Sequence, residues 1–246
     1  MPEFIYPDWS APEHVKALTT TRVGGYSKGP FESFNLSMRS GDDTEQVKRN
    51  RALLVDSAGL PSEPVWLRQE HGNKVVDASC TEPYTGADGS YTDQAGIVCV
   101  VLTADCCPVF LCDRQGSRVG VLHAGWRGLA RGLIEQGVQQ TGRATSELMA
   151  WLGPAIGPSA FEVGDDVYNA FVDQDAAATE TFVKNSNGRW LADIYALATQ
   201  RLRAMGVENI SGGTYCTVQE RERFFSYRRD RLCGHMASLI WLDAKN

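Results

Sequence analysis

The sequence has no apolar run approaching the roughly 18 residues that a membrane-spanning helix needs. Its start, MPEFIYPDWS, lacks a basic stretch followed by an apolar core, so it does not resemble a secretory signal. It also lacks an excess of basic residues, because 24 Lys and Arg against 30 Asp and Glu give a formal net charge of −6. We therefore expect neither a membrane nor a nucleic acid as partner, and a cytoplasmic location.

The chain also lacks an even number of cysteines. It has seven, of which Cys99, Cys112 and Cys216 lie within apolar runs. In a reducing compartment such cysteines are small buried side chains and do not form a disulfide framework. The composition is otherwise ordinary for a globular protein, with 43% apolar and 22% charged residues.

Strand and helix patterns alternate along the chain without a repeat, a low-complexity segment or a linker. The patterns predict strands at 14–22, 64–72, 96–102, 108–112, 117–122, 147–152, 210–217, 224–229 and 236–242. They predict helices at 42–60, 126–142, 165–174 and 191–207, the first capped by Asp43 or Thr44 and closed by Gly59. We expect one domain over residues 1–246, of the α/β (α+β) class, with a mixed sheet, antiparallel hairpins and covering helices.

The stretch TADCCPVFLCDRQGSRVGVLHAGWRG, residues 103–128, predicts a hairpin with DRQG, residues 113–116, as its turn. If Cys112 pairs with Ser117, the ladder brings Cys106 opposite His123. Directly opposed residues share a face of the sheet, with Cβ atoms about 4.5–5.5 Å apart. Cys107 then points to the other face, although a slip of one residue would exchange the two cysteines.

A thiolate and an imidazole on one face can share a metal ion, and zinc binds both. His71, at the end of the predicted strand 64–72, offers a third ligand. His14 and His235, the other two histidines, have no comparable surroundings. Three protein ligands leave a fourth position for water, as in catalytic zinc sites. The pattern alone equally fits histidines that end strands and form local hydrogen bonds.

A family resemblance bears on this alternative. It is carried, in chain order, by TTRVGGYSKGPFESFNLS, KRNR, WLRQEHG, TADCCPV, LHAGWRGL, WLGPAIGP and FFSYRRD. These stretches resemble the YfiH family, also called the laccase-domain or multicopper polyphenol oxidase family. The resemblance implies a cysteine hydrolase-like fold and one zinc ion bound by His71, Cys106 and His123. It further implies phosphorolysis of adenosine, inosine, guanosine and methylthioadenosine, and hydrolytic deamination of adenosine.

Phosphorolysis requires a site for phosphate. HAGWRG follows a strand and begins a helix, so free amides near Gly125, with Arg127, can hold an anion. The resemblance places Arg51 of KRNR in the phosphate pocket and makes Asn35 a candidate polar contact. Glu70 and Asp105 are weaker candidates for a proton shuttle, because strand alternation turns each away from its neighbouring ligand.

The oxidase name can be tested by counting histidines. A blue-copper centre uses two His and one Cys, which would consume His71, His123 and Cys106. His14 and His235 cannot ligate the further copper cluster of a multicopper enzyme. We therefore discount polyphenol oxidase activity, although one copper ion could replace zinc at the same ligands.

Two other functions remain open at this point. Cys106 could be a nucleophile with His123 as its base, in a metal-independent amide hydrolase. For such a hydrolase, the resemblance implies removal of wrongly built peptidoglycan precursors. The protein could also be a non-catalytic metal-buffering or partner-binding protein. The sequence leaves the oligomeric state undetermined.

Overall fold

The computed structural model describes residues 1–244 of the protein. The strands are β1 (Phe4–Ile5), β2 (Val15–Thr20), β3 (Val75–Asp77), β4 (Gly89–Thr92), β5 (Cys99–Thr103), β6 (Cys107–Asp113), β7 (Val119–Ala124), β8 (Leu148–Leu152), β9 (Glu162–Val163), β10 (Phe182–Lys184), β11 (Trp190–Ala192), β12 (Asn209–Gly212) and β13 (Met236–Leu242). The α-helices are α1 (Thr44–Ala58), α2 (Trp126–Ala130), α3 (Leu133–Thr141), α4 (Asp165–Val172), α5 (Ile194–Ala204) and α6 (Tyr227–Asp230). Among these residues, no helix combines the length and apolarity needed to cross a bilayer.

The strands form three sheets. The largest has the order β12-β8-β6-β7-β4-β3, the second β1-β2-β13-β5, and the smallest β10-β11-β9. The largest sheet is mixed, because β12 pairs with β8 and β3 with β4 in parallel while its other pairs are antiparallel. The predicted α/β class, with a mixed sheet, antiparallel hairpins and covering helices, is confirmed, but the strands are divided among three sheets.

The two larger sheets lie between helices. Along β6, Val109 and Leu111 belong to a core shared with α3, α4 and α5. Phe110 and Cys112 alternate with them and belong to a second core shared with the four-stranded sheet. A third core, which includes Leu54 of α1, covers the far face of that smaller sheet. Because β6 is buried on both faces, it reads as a continuous apolar run.

Helix α1 begins and ends where the sequence predicts. The Asp43 carboxylate accepts a hydrogen bond from the Glu45 amide at 2.9 Å, and Gly59 closes the helix with a left-handed φ of 60°. These are local signals, an N-cap acid and a C-terminal glycine, and they need no tertiary partner. The predicted helix 126–142 is instead divided into α2 and α3 by Gly132, whose φ is 83°.

Two predicted strands are wrong. Residues 64–72 form only isolated bridges, Val65 to Cys99 and Arg68 to Gly86. Beyond Val65, the Gln69 side chain occupies the backbone groups of Leu102 that a longer ladder would use. Gln69 Nε2 donates to the Leu102 carbonyl, and Gln69 Oε1 accepts from the Leu102 amide, both at 2.7 Å. Residues 224–229 do not form a strand either. Their second half, 227–229, lies in α6, which the Ser226 hydroxyl caps.

The hairpin is present, but its register differs from the predicted one. Cys107 pairs with Ala124 and Cys112 with Val119, and the Asp113 amide donates to the Arg118 carbonyl. The turn therefore comprises 114–117, because the Asp113 carboxylate binds the amides that follow it. The displacement is two residues. Since side chains alternate with a period of two, the predicted faces survive it.

A candidate metal centre

Three side chains from distant parts of the sequence meet where β6 begins and β7 ends, two inner strands of the largest sheet. His71 follows the extended segment 64–70, Cys106 directly precedes β6, and His123 lies near the end of β7. Their potential ligand atoms all lie within 4.8 Å of one another. The two imidazole rings are 4.8 Å apart between centroids and inclined at 72°. We call these three residues the His–Cys–His cluster.

The backbone on either side of the cluster adopts unusual conformations. His71 has a φ of 56° and Asp105, which precedes Cys106, has a φ of 97°. Non-glycine residues in the left-handed region carry a conformational cost, which the surrounding hydrogen bonds must offset. Cys107 points away from the cluster into the core beneath α3, so Cys106 is the thiol presented here.

Asp88, a residue that the sequence analysis missed, connects two members of the cluster. It lies just before β4, is 1% exposed, and accepts hydrogen bonds from the amides of Glu70, His71 and Gly72. It also accepts one from His123 Nδ1 at 2.9 Å. The proton of the neutral His123 ring therefore lies on Nδ1, which leaves Nε2 free as a ligand.

Asp88 is held as a carboxylate. Burial alone would raise its pKa, but the hydrogen bonds from His123 and from the Gly72 and Glu70 amides outweigh burial and lower the pKa below its ordinary value. Each of these donors stabilises the charged form. One buried anion thus fixes both the loop that carries His71 and the orientation of the His123 ring. No spacing rule in the sequence marks this aspartate.

The cluster is polarised even without a metal ion. Burial opposes ionisation of the Cys106 thiol, but the charge and hydrogen bonds of His123, together with those of His71, lower its pKa to about 6. Burial would lower the pKa of His123, yet the Cys106 thiolate and Asp88 raise it to about 9. Between these values the metal-free site holds a thiolate beside an imidazolium.

Gly125 gives the cluster room. It directly precedes α2, and a Cβ built on it would lie 2.8 Å from Cys106 Sγ and 3.3 Å from His71 Cδ2. Its φ of −72° is open to any residue, so the requirement for glycine comes from this close approach and not from backbone strain.

The donor set fits a transition metal. Two imidazoles and one thiolate are ligands that zinc binds, with about 2.3 Å to sulfur and about 2.0 Å to nitrogen, and copper accepts the same set. The metal ion itself is not identified by this geometry. Within residues 1–244 this is the only group of three or more His, Cys, Asp or Glu side chains arranged to bind a metal. The described chain therefore offers no ligands for the additional copper cluster of a multicopper oxidase.

A cavity of about 680 Å³ opens beside the cluster and is lined in part by its three residues. Its apolar lining includes Leu67, Leu102, Trp126, Ile156, Phe161 and Ile194. Its cationic lining consists of Arg39, Arg127, Arg228 and Arg231. Among residues 1–244, none of these four arginines lies within ion-pair distance of a carboxylate. Asp105 is the carboxylate of the described lining, so cations outnumber carboxylates around the cavity in a protein whose overall charge is negative.

Of the four predicted phosphate-binding residues, Arg51, Asn35 and Gly125 do not line the cavity. Arg51 is buried, donates to the Leu36 carbonyl and the Tyr84 hydroxyl, and lies 3.7 Å above the Trp66 ring. Burial lowers its pKa. Its guanidinium therefore binds protein groups between α1 and the segment 64–70, whereas Arg127 does line the cavity.

Asn35 organises the wall of the cavity without lining it. Its amide donates to the Ser40 hydroxyl at 2.8 Å and the Asp42 carboxylate at 2.9 Å, and its oxygen accepts from the Ser37 and His235 amides. Ser37, Ser40 and His235 then face the cavity. Asn35 fixes the loop that presents them.

The two weaker shuttle candidates have other partners. Glu70 forms an exposed ion pair with Arg68 at 3.0 Å and does not line the cavity. Asp105 lines it, but its oxygens accept from the Thr217 hydroxyl and the Arg228 amide, both at 2.6 Å. Asp105 therefore joins the loop before β6 to the segment that begins α6.

The lowered pKa of Cys106 gives a prediction for the metal-free protein. We expect its alkylation rate by iodoacetamide to rise with a midpoint near pH 6, because only the thiolate attacks and the thiol keeps its proton at lower pH. A Cys80→Ser background removes the exposed competing thiol. A midpoint at the ordinary value of 9, or an unchanged profile in Cys106→Ala, would contradict this. Rates are followed by mass spectrometry, and added Zn²⁺ should protect the thiol.

Known proteins resemble this chain along almost its whole length. The family model described as "Multi-copper polyphenol oxidoreductase laccase" matches residues 16–243. The protein named "Purine nucleoside phosphorylase YfiH" from Shigella flexneri is 49% identical over 244 residues, covering 98% of this chain and 100% of that protein. A Neisseria meningitidis crystal structure is 48% identical, covers 98% of this chain and 99% of that chain, and superposes with a TM-score of 0.95. The Bacillus licheniformis YfiH structure is 28% identical, covers 99% and 97% respectively, and has a TM-score of 0.90. The chain belongs to the YfiH family of laccase-like proteins.

Proposed function

We propose that this protein is a zinc-dependent purine nucleoside phosphorylase acting on adenosine, inosine, guanosine and methylthioadenosine, with adenosine deaminase activity. The observation that carries this proposal is the His–Cys–His cluster opening onto a cavity lined with arginines. The name of the Shigella flexneri relative, at 49% identity, supports the phosphorylase assignment.

The arginines supply the phosphate site. Phosphate is a divalent anion near neutral pH, and a guanidinium can donate two parallel hydrogen bonds to it. Among the described residues, the side chains of Arg39, Arg127 and Arg231 form no hydrogen bond, whereas the Arg228 side chain already donates to the carbonyls of Ala160 and Glu162. The first three are therefore our candidates for holding phosphate.

The apolar lining suits the purine. In phosphorolysis a phosphate oxygen forms a bond to C1′ of the ribose, the bond from C1′ to the base nitrogen breaks, and the electron pair of that bond leaves with the base. The arginines orient the attacking phosphate, and Trp126 and Phe161 offer apolar surface for the base. A zinc ion held by His71, Cys106 and His123 would supply a Lewis acid and lower the pKa of a bound water.

Deamination uses the same cavity without phosphate. Water replaces the amino group at C6 of adenosine, and ammonia leaves. Zinc deaminases of nucleobases also combine histidine and cysteine ligands with an open position, but they add a glutamate that moves the proton. Glu70 and Asp105 are bound elsewhere, so we propose no shuttle residue.

The test is a panel of purine nucleosides incubated with and without phosphate. We expect ribose 1-phosphate and free base only with phosphate, and inosine from adenosine in both conditions. Absence of both products from metal-analysed wild-type protein would refute the proposal. Inosine formed from adenosine without any ribose 1-phosphate would refute phosphorolysis and leave deamination in place.

A second candidate is a metal-independent amide hydrolase. The observation that favours it is the chain of contacts from Cys106 through His123 to Asp88, which matches the order of nucleophile, base and orienting acid in cysteine hydrolases. Amide cleavage that persists after exhaustive chelation would support it, and restoration only by added metal would exclude it.

We also propose that residues 1–246 form one domain and that the protein is cytoplasmic. Cores lie on both faces of the largest sheet, and a third core joins α1 to the far face of the four-stranded sheet. All seven cysteines are free thiols. Proteins in oxidising compartments more often pair their cysteines.

A further inference from the structure

His235 is held rigidly at the wall of the cavity. It lies one residue before β13 and lines the cavity. Its amide donates to Asn35 Oδ1 at 3.0 Å, and its carbonyl accepts from the Leu36 amide at 3.3 Å. A Cβ on the preceding Gly234 would lie 2.7 Å from both Asn35 Cβ and Phe225 Cζ. The backbone is thus fixed on both sides, and the direction of the ring with it.

The His235 ring has no protein partner among residues 1–244. Its Nδ1 is buried from solvent and neither donates nor accepts a hydrogen bond. The other histidines differ, since His14 bonds to the Gly116 carbonyl at 2.8 Å and His71 and His123 belong to the cluster. A buried nitrogen without a partner is less costly as a bare acceptor than as an unpaired N–H, so Nδ1 is the unprotonated nitrogen of the neutral ring.

The ring is half-buried, so its exposed part is the edge that carries Nε2. A nitrogen that carries a proton needs an acceptor, and only the cavity can offer one. The proton therefore lies on Nε2, which presents a donor to the cavity. Burial, and then the charges of His123 and His71, lower the pKa of His235 to about 4, in keeping with an uncharged ring.

The cavity thus has two kinds of polar lining. Of the cations, Arg39, Arg127 and Arg231 suit phosphate, whereas His235 is a neutral donor on the wall where Asn35 also binds Ser37 and Ser40. A neutral donor gains little from an anion that arginines bind better, but it discriminates well between ligands with and without a matching acceptor.

We propose that His235 is a specificity-determining residue that donates a hydrogen bond to an uncharged acceptor of the nucleoside, a hydroxyl oxygen or a purine nitrogen. This inference rests on the proposed phosphorylase function. It assigns the recognition of the nucleoside to His235 and leaves phosphate to the arginines.

The test compares His235→Phe, which keeps a flat ring without nitrogens, with His235→Gln, whose amide nitrogen can lie near the position of Nε2. We expect His235→Phe to raise the KM for nucleoside about 10-fold, because the acceptor is left unpaired. In His235→Phe, the KM for phosphate and the metal content per chain should each change less than about 2-fold, since neither depends on this hydrogen bond. In His235→Gln, the KM for nucleoside should lie within about 3-fold of the wild-type value, because the amide restores the donor.

His14→Phe is the matched control, because His14 lies away from the cavity and we expect no change in either KM. An unchanged nucleoside KM in His235→Phe, or equal increases for nucleoside and phosphate, would overturn the inference. If His235→Phe does not fold, wild type is compared on nucleosides lacking one hydroxyl or one ring nitrogen. With wild type, one analogue should have a KM about 10-fold higher than its parent nucleoside, whereas a His235→Leu variant should give both the same KM. The absence of such a difference in wild type would overturn the inference. If wild type turns over no nucleoside, both proposals are overturned. If wild type is active and His235→Phe has an unchanged KM for nucleoside, only this inference is overturned.

Discussion

Replacing Cys106 with alanine is expected to abolish phosphorolysis and to remove the bound metal. Cys106 provides the only anionic ligand of the His–Cys–His cluster, and its thiolate also balances the charge of His123. Loss of a residue that merely supports a ligand already costs about 10–100-fold in metal affinity or activity, so loss of the ligand itself should cost at least about 100-fold. Metal content is measured by elemental analysis and ribose 1-phosphate by a coupled assay.

Cys107→Ala is the matched control for this experiment. Its side chain is fully buried in the core beneath α3 and does not line the cavity. Truncation there removes one buried atom, at a cost of about 1 kcal/mol in the free energy of unfolding, and should leave metal and activity in place. If Cys106→Ala kept its metal and activity while Cys107→Ala lost them, the assignment of the two thiols would be wrong.

Asp88→Asn is expected to weaken metal binding about 10–100-fold. The carboxylate accepts from three backbone amides and from His123 Nδ1. An asparagine has only one acceptor oxygen, and its NH2 group would face the backbone amides or the Nδ1–H of His123. The hydrogen bonds that position the His71 loop and orient the His123 ring would therefore be weakened. Leaving these buried donors unpaired should also lower the free energy of unfolding by about 1–3 kcal/mol.

The measurement is the metal dissociation constant, obtained by competition with a chelator of known affinity. Nitrogen NMR of His123 adds a second readout, because the proton should no longer be held on Nδ1. Asp93→Asn is the control: Asp93 lies just after β4, whereas Asp88 lies just before it, and Asp93 pairs with Arg118 at the surface, where ion pairs contribute little. Equal metal affinity in Asp88→Asn and wild type would show that Asp88 does not position the ligands.

Sequence reasoning was most accurate where the signals were local. The Asp43 cap and Gly59 stop of α1, and the buried strands β5, β6 and β7, follow from residue types a few positions apart. It was wrong at 64–72, because whether an extended segment pairs as a strand depends on its neighbours. There the Gln69 side chain occupies the backbone groups of Leu102 that a ladder would need.

The hairpin shows how a partly wrong prediction reached the same cysteine. The predicted strand pairing is displaced by two residues from the observed one, and an even displacement preserves which side chains share a face. An odd displacement would have exchanged Cys106 and Cys107. The outcome depended on the Asp113 carboxylate, which binds the amides of Ser117 and Arg118 and so sets the turn.

The sequence by itself determined the fold class, because apolar periodicity and helix caps depend on neighbouring residues. It also determined the family and the three residues of the cluster, because short motifs identify them. Only the tertiary structure decided that Asp88 holds two of those residues, that Arg51 and Asn35 stay behind the cavity wall, and that His235 faces the cavity without a partner. These relations join residues up to 200 positions apart. Hydrogen bonds act over about 3 Å in space, and distance in space is fixed only when sheets and loops have packed.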